Sequence, residues 1–246
     1  MSIFSQVIDN PHPRAAISFP PLIRGKLISR YKRFLADVEL ENGQIVTAHT
    51  PNTGRMLGCS EPGRPVFLSI SKNSQRKLPY SWELIQMDCG LVGINTSLPN
   101  KLAKLALISG LIPEIHRGKV ESEVQVGSSR LDLRLTHPEP GKRTYLEVKN
   151  CTYVENGRGM FPDAVSLRAT KHLEELIQIH QKGDVAVILI LIQRPDADVF
   201  SPADSIDPVW GQTLRKAVKS GVKIIAREVV LSLEEAVLGP PVPIEI

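Results

Sequence analysis

Two acidic residues and a lysine in the second half of the chain have the types and the spacing of a catalytic metal site. Asp132 precedes the tripeptide Glu147-Val148-Lys149 by 15 residues, and both lie in segments that alternate apolar and polar residues. Alternate side chains of a β-strand share one face. If the two strands form a hairpin, we expect Asp132, Glu147 and Lys149 to lie together on one face.

This arrangement predicts a site for Mg²⁺ or Mn²⁺. Two neighbouring carboxylates repel each other unless a cation lies between them, and these hard cations prefer oxygen ligands. A lysine on the same face can hold an attacking water or offset phosphate charge. Together the groups suit metal-assisted hydrolysis of a phosphodiester bond. The alternative is that the three residues form an exposed ladder of ion pairs on a sheet.

The spacing resembles the PD-(D/E)xK nuclease signature, which has an acid on one strand and acid-x-lysine on the next. Glu123 (or Glu121) on the preceding strand is a candidate accessory carboxylate. Arg168 and His172, four residues apart on a later helix, are candidate neighbours of the site, although His172 also suits a half-buried structural position. Many such nucleases carry an acid on the first helix, where this chain has Asn100. That departure leaves metal affinity and catalysis open.

The elements around these residues predict an α/β domain. Apolar spacing of about 3.6 residues marks helices, and alternation marks half-buried strands. The continuous apolar run from 185 to 192 marks a strand over 185–193 that is buried on both faces. Helices then cover the later strands on both faces. The predicted order is a helix over 100–109, strands over 120–126, 130–135 and 144–153, a helix capped by Asp163 and running to about Gln181, the 185–193 strand, a helix over 208–220, a strand over 222–227 and a short helix after Ser232.

The first part of the chain predicts a small all-β barrel. Five or so short strands separated by polar turns occupy residues 20–90, with no convincing long helix. Barrels of the OB type bind single strands or loops of nucleic acid on exposed strands and loops. The sequence therefore predicts an α+β chain of two domains, with an OB-like β-barrel over 1–95 and an α/β restriction-endonuclease-like domain over 96–246.

Basic residues are concentrated in the predicted barrel. Residues 1–97 contain 11 Lys and Arg against 7 Asp and Glu, whereas the remaining residues contain 19 of each kind. A locally basic surface binds phosphate backbones through counterion release, although a solvated basic face is the alternative. An aromatic ring beside cations adds stacking, and the turn at 51–55 can present a cation to phosphate. The predicted nucleic-acid-binding residues are Arg30, Tyr31, Lys32, Arg33, Arg55, Arg76 and Lys77.

Cysteine usage and hydropathy bear on the compartment. Cys59, Cys89 and Cys151 are an odd, sparse set that favours a reducing compartment over a disulfide framework. The longest apolar run is far shorter than the roughly 20 residues of a membrane-spanning helix. The first ten residues lack the features of a signal peptide. We therefore expect a cytoplasmic protein without a membrane segment.

Motifs over nearly the whole chain are similar to those of the sugar fermentation stimulation protein family. The resemblance implies a DNA-binding protein with a regulatory role in sugar (maltose) metabolism. It also implies an N-terminal OB-like domain joined to a nuclease-like domain. The similar stretches are RYKRFLADVEL (30–40), TAHTPNTGRMLGC (47–59), RKLPYSWEL (76–84), GINTSLPN (93–100), SRLDLRL (129–135), YLEVKN (145–150), FPDAV (161–165) and KHLEEL (171–176).

Three functions stay open at this point. The first is a DNA-binding regulator without significant catalysis. The second is a Mg²⁺- or Mn²⁺-dependent nuclease that acts on DNA or RNA through Asp132, Glu147 and Lys149. The third is a nuclease fold that has lost its chemistry and serves in a homodimer or another partner contact. No helix-turn-helix is evident, which argues against sequence-specific reading of the major groove.

Overall fold

A computed structural model of the protein describes residues 14–127, 129–139 and 141–246. The described residues form three sheets and the helices that pack on them. The elements in chain order are β1 (Ala16–Ser18), β2 (Ile23–Tyr31), β3 (Leu35–Leu40), β4 (Ile45–His49), β5 (Pro65–Ile70), β6 (Tyr80–Met87), β7 (Gly90–Gly93), α1 (Ser97–Ser109), β8 (Lys119–Val126), β9 (Ser129–Thr136), β10 (Arg143–Cys151), β11 (Tyr153–Glu155), β12 (Arg158–Phe161), α2 (Leu167–Gln181), β13 (Val185–Ile192), β14 (Val199–Pro202), α3 (Pro208–Lys219), β15 (Lys223–Leu231) and β16 (Glu235–Pro241).

Strands β2 to β6 form a closed barrel. Their order is β4-β3-β2-β5-β6, and a parallel pairing of β4 with β6 closes the ring, while β7 extends the sheet beyond β6. Trp82 is fully buried in its core and donates its indole N–H to the carbonyl of Leu84 at 2.9 Å. The predicted small barrel is therefore confirmed.

The second half of the chain is built on a seven-stranded mixed sheet in the order β1-β16-β15-β13-β10-β9-β8. Strands β10, β13 and β15 are parallel, and β9 runs antiparallel to β10. Helix α1 packs on one face of the sheet, and α2 and α3 pack on the other. This confirms the predicted α/β domain with helices on both faces.

The apolar run of β13 follows from its central place in this sheet. Ile188, Ile190 and Ile192 face the core beneath α2 and α3, whereas Val187, Leu189 and Leu191 face the core beneath α1. A strand covered on both sides has no solvent-facing side chains, so it loses the polar–apolar alternation of a surface strand.

The chain start departs from the predicted domain division. Residues 14–19 were assigned to the barrel, but β1 pairs antiparallel with β16 at the far end of the chain, with Ala16 opposite Val237. Ala15 is buried in the core beneath α1. Residues 14–19 therefore belong to the α/β sheet, because their apolar side chains cover the edge of that core.

Two predicted elements near the helices need correction. The segment after Ser232 is the strand β16 and not a short helix, since it supplies the antiparallel partner for both β15 and β1. Helix α2 begins at Leu167, and its cap is Ser166, whose hydroxyl accepts a hydrogen bond from the N–H of Ala169 at 3.2 Å. Asp163 lies too far upstream to cap this helix and contacts the barrel instead.

No helix among the described residues has both the length and the apolar character needed to cross a membrane. Residues 1–13, where we expect no signal peptide, lie outside the described part of the chain. The three cysteines are free, as their isolated positions predict. Burial raises the pKa of the Cys59 and Cys151 thiols to about 12, so both stay protonated near neutral pH.

Candidate functional site

Asp132 lies where β9 and β10 separate. The antiparallel pairing of the two strands runs from Arg143–Thr136 to Leu146–Leu133 and stops there. The Asp132 carboxylate occupies the gap. Its Oδ2 accepts a hydrogen bond from the Val148 N–H at 2.8 Å, and its Oδ1 accepts one from Asn100 Nδ2 on α1, also at 2.8 Å. Both contacts hold the side chain in one orientation between the helix and the strand.

Glu147 and Lys149 lie on the face of β10 that α2 covers. Glu147 is 3% exposed and Lys149 is 9% exposed. Glu147 Oε1 accepts a hydrogen bond from Lys149 Nζ at 2.7 Å and another from His172 Nδ1 of α2. The interpretation of these residues as an exposed ladder of ion pairs is therefore wrong. His172 is buried and contacts the acid directly, so the two candidate residues lie side by side.

The two carboxylates influence each other electrostatically. Burial, and next the charge of Glu147, raise the pKa of Asp132 to about 6. Burial also opposes ionisation of Glu147, but Lys149 and His172 outweigh it, so the pKa of Glu147 lies below its ordinary value. Near neutral pH the site thus holds two ionised acids that repel each other, which is the condition that a cation relieves.

Three other candidates, Glu121, Glu123 and Arg168, are not brought to this centre, unlike Asn100 and His172. Glu121 forms an ion pair with Arg134 at 2.8 Å. Glu123 has a φ of 57°, which turns its side chain outward to an exposed ion pair with Arg130 at 3.5 Å. Arg168 is exposed at the first turn of α2. Within the described residues, no three His, Cys, Asp or Glu side chains form a metal-binding cluster.

Replacing Glu123 with glutamine should therefore leave both the fold and the centre unchanged. Its ion pair is exposed, so the free energy of unfolding should change by less than about 0.5 kcal/mol. Mn²⁺ titration by calorimetry should give the same dissociation constant for the variant as for the parent protein. A tenfold loss of Mn²⁺ affinity would show that Glu123 is a ligand after all.

Arg30 has a structural task that the sequence did not indicate. Its Nη2 lies 2.9 Å from the carbonyl oxygens of Arg33, Asn52 and Gly54, and its Nη1 lies 3.4 Å from that of Arg55. These bonds tie the β2–β3 loop to the 51–56 loop. Backbone carbonyls thus already accept hydrogen bonds from both terminal nitrogens of Arg30, and its contact with phosphate stays a prediction.

The aromatic residue exposed on the barrel is Phe34 and not Tyr31. Tyr31 is half-buried, and its hydroxyl donates to Asp37 Oδ1 at 3.0 Å. Phe34 is 47% exposed in the loop that follows. Lys32 and Arg33 in that loop have φ of 48° and 63°, an uncommon conformation for residues other than glycine. The signal in the sequence is an aromatic residue directly after two cations at a hairpin turn.

The other predicted cations of the barrel lie in different surroundings. Lys32, Arg33, Arg55 and Lys77 are exposed. Arg76 is half-buried and donates to Ser81 Oγ at 2.9 Å, so it is engaged with the barrel itself. Exposed cations are the ones available to a phosphate backbone.

Side chains of the α/β domain hold the barrel in place. Asp163 Oδ2 accepts a hydrogen bond from the Met56 N–H at 2.7 Å. A Cβ at Gly54 would lie 2.5 Å from this carboxylate, so the loop can approach Asp163 only with glycine at that position. Arg194 donates to the carbonyl oxygens of Gly58 and Thr152 at 3.2 and 3.1 Å, one in each domain. These contacts fix the 51–59 segment against the end of β10.

A cleft of about 760 Å³ opens between the barrel and the α/β domain. The barrel side carries Arg33 and Arg55, and the other side carries the 160–166 segment before α2. Asn150 and Thr152, at and just beyond the end of β10, also line it. Asp132, Glu147 and Lys149 do not line it, but Asn150 directly follows Lys149. The cleft thus lies at the carboxyl ends of parallel strands, where α/β proteins commonly bind ligands.

Family models match both halves of the chain. The model described as the SfsA N-terminal OB domain matches residues 28–94, and the one described as the sugar fermentation stimulation protein RE domain matches residues 97–235. A solved structure, that of Pyrococcus furiosus SfsA in complex with Ca²⁺, is similar with a TM-score of 0.86 and 26% identity. The similarity covers 94% of this chain and 98% of that one. The predicted fold, a barrel followed by a restriction-endonuclease-like domain, is thereby confirmed.

Curated relatives are similar over most of their length. A sugar fermentation stimulation protein homolog of Citrifermentans bemidjiense is 50% identical over 91% of this chain and 97% of the relative. Homologs of Geobacter sulfurreducens and Desulfotalea psychrophila are 46% and 48% identical, over 91% and 83% of this chain and 96% and 87% of the relatives. The chain therefore belongs to the sugar fermentation stimulation protein family.

Proposed function

We propose that this protein binds DNA and hydrolyses phosphodiester bonds with a divalent cation held by Asp132 and Glu147. One observation carries the proposal. Glu147 Oε2 is buried and has no hydrogen-bond partner among the described residues. A buried carboxylate oxygen without a hydrogen-bond partner destabilises the fold unless a bound ligand interacts with it.

The donor set fits Mg²⁺ or Mn²⁺. Glu147 Oε2 is free, and each Asp132 oxygen keeps a lone pair after its one hydrogen bond. Carboxylate oxygens suit these hard cations. The related Pyrococcus furiosus protein was solved with Ca²⁺, which prefers the same kind of ligand. Burial and then the charge of Glu147 raise the pKa of Asp132, and a divalent cation here would offset both effects.

The residues around Asp132 and Glu147 have separate roles in the proposed hydrolysis. A bound cation would polarise a phosphoryl oxygen and stabilise the charge that develops on it. Lys149 brings a positive charge that Glu147 orients, and this charge can stabilise the phosphate or align the attacking water. His172 holds Glu147 Oε1, which leaves Oε2 for the cation. Asn100 orients Asp132.

The experiment is incubation of the protein with single-stranded and duplex DNA and with RNA, in Mg²⁺, in Mn²⁺ and in EDTA. We expect cleavage that EDTA abolishes and that Asp132→Ala and Glu147→Ala each lower by at least about 100-fold. Glu123→Gln is the matched control, because it removes an acid of the same domain that lies outside the centre. Cleavage that persists in both alanine variants would assign the activity elsewhere.

A second candidate function is DNA binding without cleavage, as expected of a regulator linked to sugar metabolism. It is favoured by Asn100, which occupies the helix position where many related nucleases carry an acid and which donates a hydrogen bond to Asp132. It is also favoured by the exposed cations of the barrel. Salt-dependent DNA binding, with no cleavage of any substrate in either cation, would select this function.

A further inference from the structure

We propose that the cleft between the barrel and the α/β domain binds a single-stranded segment of nucleic acid and excludes the duplex. The inference rests on the proposed function, which names nucleic acid as the ligand. It adds that the bound nucleic acid is single-stranded, and it names the residues that bind it. Its observations are the size, the charge and the aromatic lining of the cleft.

The size of the cleft suits one or a few nucleotides. Its volume of about 760 Å³ lies within the range of roughly 300–1,000 Å³ of sites that enclose one drug-sized ligand. A nucleotide is such a ligand. A duplex segment is larger, because it carries a second strand and paired bases beside each nucleotide. We therefore expect the cleft to enclose a strand whose bases are unpaired.

The charge of the cleft suits a phosphate backbone. The charged residues that line it are three arginines and one aspartate. Arg30 is bound to backbone carbonyls and Asp163 to the Met56 N–H, so these two are engaged with the protein. Arg33 and Arg55 are exposed and present two cations from the same rim. Such a rim binds the phosphates of a nucleic-acid backbone without recognising the base sequence.

The loop that carries Arg55 is held in a fixed shape. Asn52 Oδ1 accepts the N–H of Gly54 at 2.9 Å, and the Thr96 hydroxyl donates to the carbonyl of Pro51. Arg30 donates hydrogen bonds to the carbonyl oxygens of Asn52 and Gly54 in the same loop. A cation on a preorganised loop loses little freedom when it binds phosphate, which favours binding.

An aromatic ring lies on the opposite wall. Tyr153 lines the cleft and is half-buried, just beyond the end of β10. Stacking of a base on an aromatic side chain tolerates every base, since each has a π-face. Asn150 lines the same wall one residue after Lys149. A strand stacked on Tyr153 with its phosphates on Arg55 therefore lies beside the strand end that carries Glu147 and Lys149.

The test is fluorescence anisotropy in EDTA with a labelled thymidine 12-mer, the corresponding 12-base-pair duplex and a uridine RNA 12-mer. We expect both single strands to bind at least tenfold more tightly than the duplex. Arg33→Ala/Arg55→Ala should weaken single-strand binding by roughly tenfold, and should flatten its logarithmic salt dependence by about 1.4. Tyr153→Ala should weaken binding about tenfold, and Tyr153→Phe should retain it.

Arg24→Ala is the matched control, because Arg24 is an exposed cation of the same barrel that does not line the cleft. Duplex binding as tight as single-strand binding would overturn the proposal, and so would an equal effect of Arg24→Ala and the double variant. The measurement in EDTA separates this proposal from the proposed catalysis. Tight single-strand binding without cleavage would contradict only the catalytic proposal. Asp132-dependent cleavage that is unchanged by the Arg33→Ala/Arg55→Ala variant would contradict only the proposal of single-strand binding in the cleft.

Discussion

Replacing Asp132 with asparagine should stabilise the metal-free protein at pH 7.5. Asp132 has an ordinary pKa of 3.8 in the unfolded chain, and burial and Glu147 raise it to about 6 in the fold. The difference corresponds to about 3 kcal/mol, which the fold loses when this carboxyl ionises. Asparagine has nearly the same shape and no charge. We expect a gain of roughly 1–3 kcal/mol in the free energy of unfolding in EDTA.

The sign of this effect depends on pH in a defined window. A carboxyl whose pKa is higher in the fold than in the unfolded chain binds its proton more tightly in the fold. The protonated carboxyl therefore adds fully to the free energy of unfolding below pH 4. This contribution is lost as the pH rises through about 6, and no further change follows at higher pH. The advantage of Asp132→Asn should be absent near pH 4 and complete above pH 6.

Urea unfolding of both proteins in EDTA from pH 4 to pH 8 measures the prediction. Glu121→Gln is a control of opposite sign, since its ion pair with Arg134 lowers the pKa of Glu121. That variant should be slightly less stable than the parent at pH 7.5. Ca²⁺ should stabilise the parent protein and leave Asp132→Asn unchanged. An asparagine variant that is less stable than the parent in EDTA at pH 7.5 would contradict the prediction, because the lost hydrogen-bond acceptor would then outweigh the removed charge.

Strand periodicity predicted that Asp132, Glu147 and Lys149 lie near one another, and the resemblance to nucleases predicted that His172 lies beside them. The contacts show these neighbours, while their role as a metal site stays a prediction. The actual contacts add what periodicity cannot supply. Asp132 sits in the gap where the two strands separate, and Asn100 reaches it from a helix on the opposite face of the sheet. Strand separation depends on the packing of the whole sheet and has no local signal.

The position of residues 14–19 in the α/β sheet was not predictable for a related reason. Strand β1 is three residues long and pairs with β16, more than 200 residues away in the sequence. A short strand with a distant partner has no turn or alternation to mark it, so its neighbours along the chain decide its predicted domain. The bonds of Arg30 to loop carbonyls were not predictable either, for a different reason. A count of cations cannot distinguish a guanidinium that faces solvent from one that faces carbonyl oxygens.

Arg30→Ala should be the most destabilising single substitution among the barrel cations. The four carbonyl oxygens near its guanidinium belong to two loops, and Asn52 is 5% exposed. Without Arg30 these oxygens lose their donors, and buried carbonyls left unpaired cost about 1–3 kcal/mol each. Water will reach some of them, so we expect a loss of about 2–4 kcal/mol in the free energy of unfolding, measured by urea denaturation.

Two further variants separate the geometry of Arg30 from its charge. Arg30→Lys keeps the charge but has no planar fork to span several carbonyls, so it should recover less than half of the loss. Arg24→Ala removes an exposed cation from the same strand and should cost less than about 0.5 kcal/mol. If Arg30→Lys unfolds at the same urea concentration as the parent, charge alone explains the role of Arg30. If it does not, Arg30 positions the 51–56 loop, and with it Arg55, at the rim of the cleft.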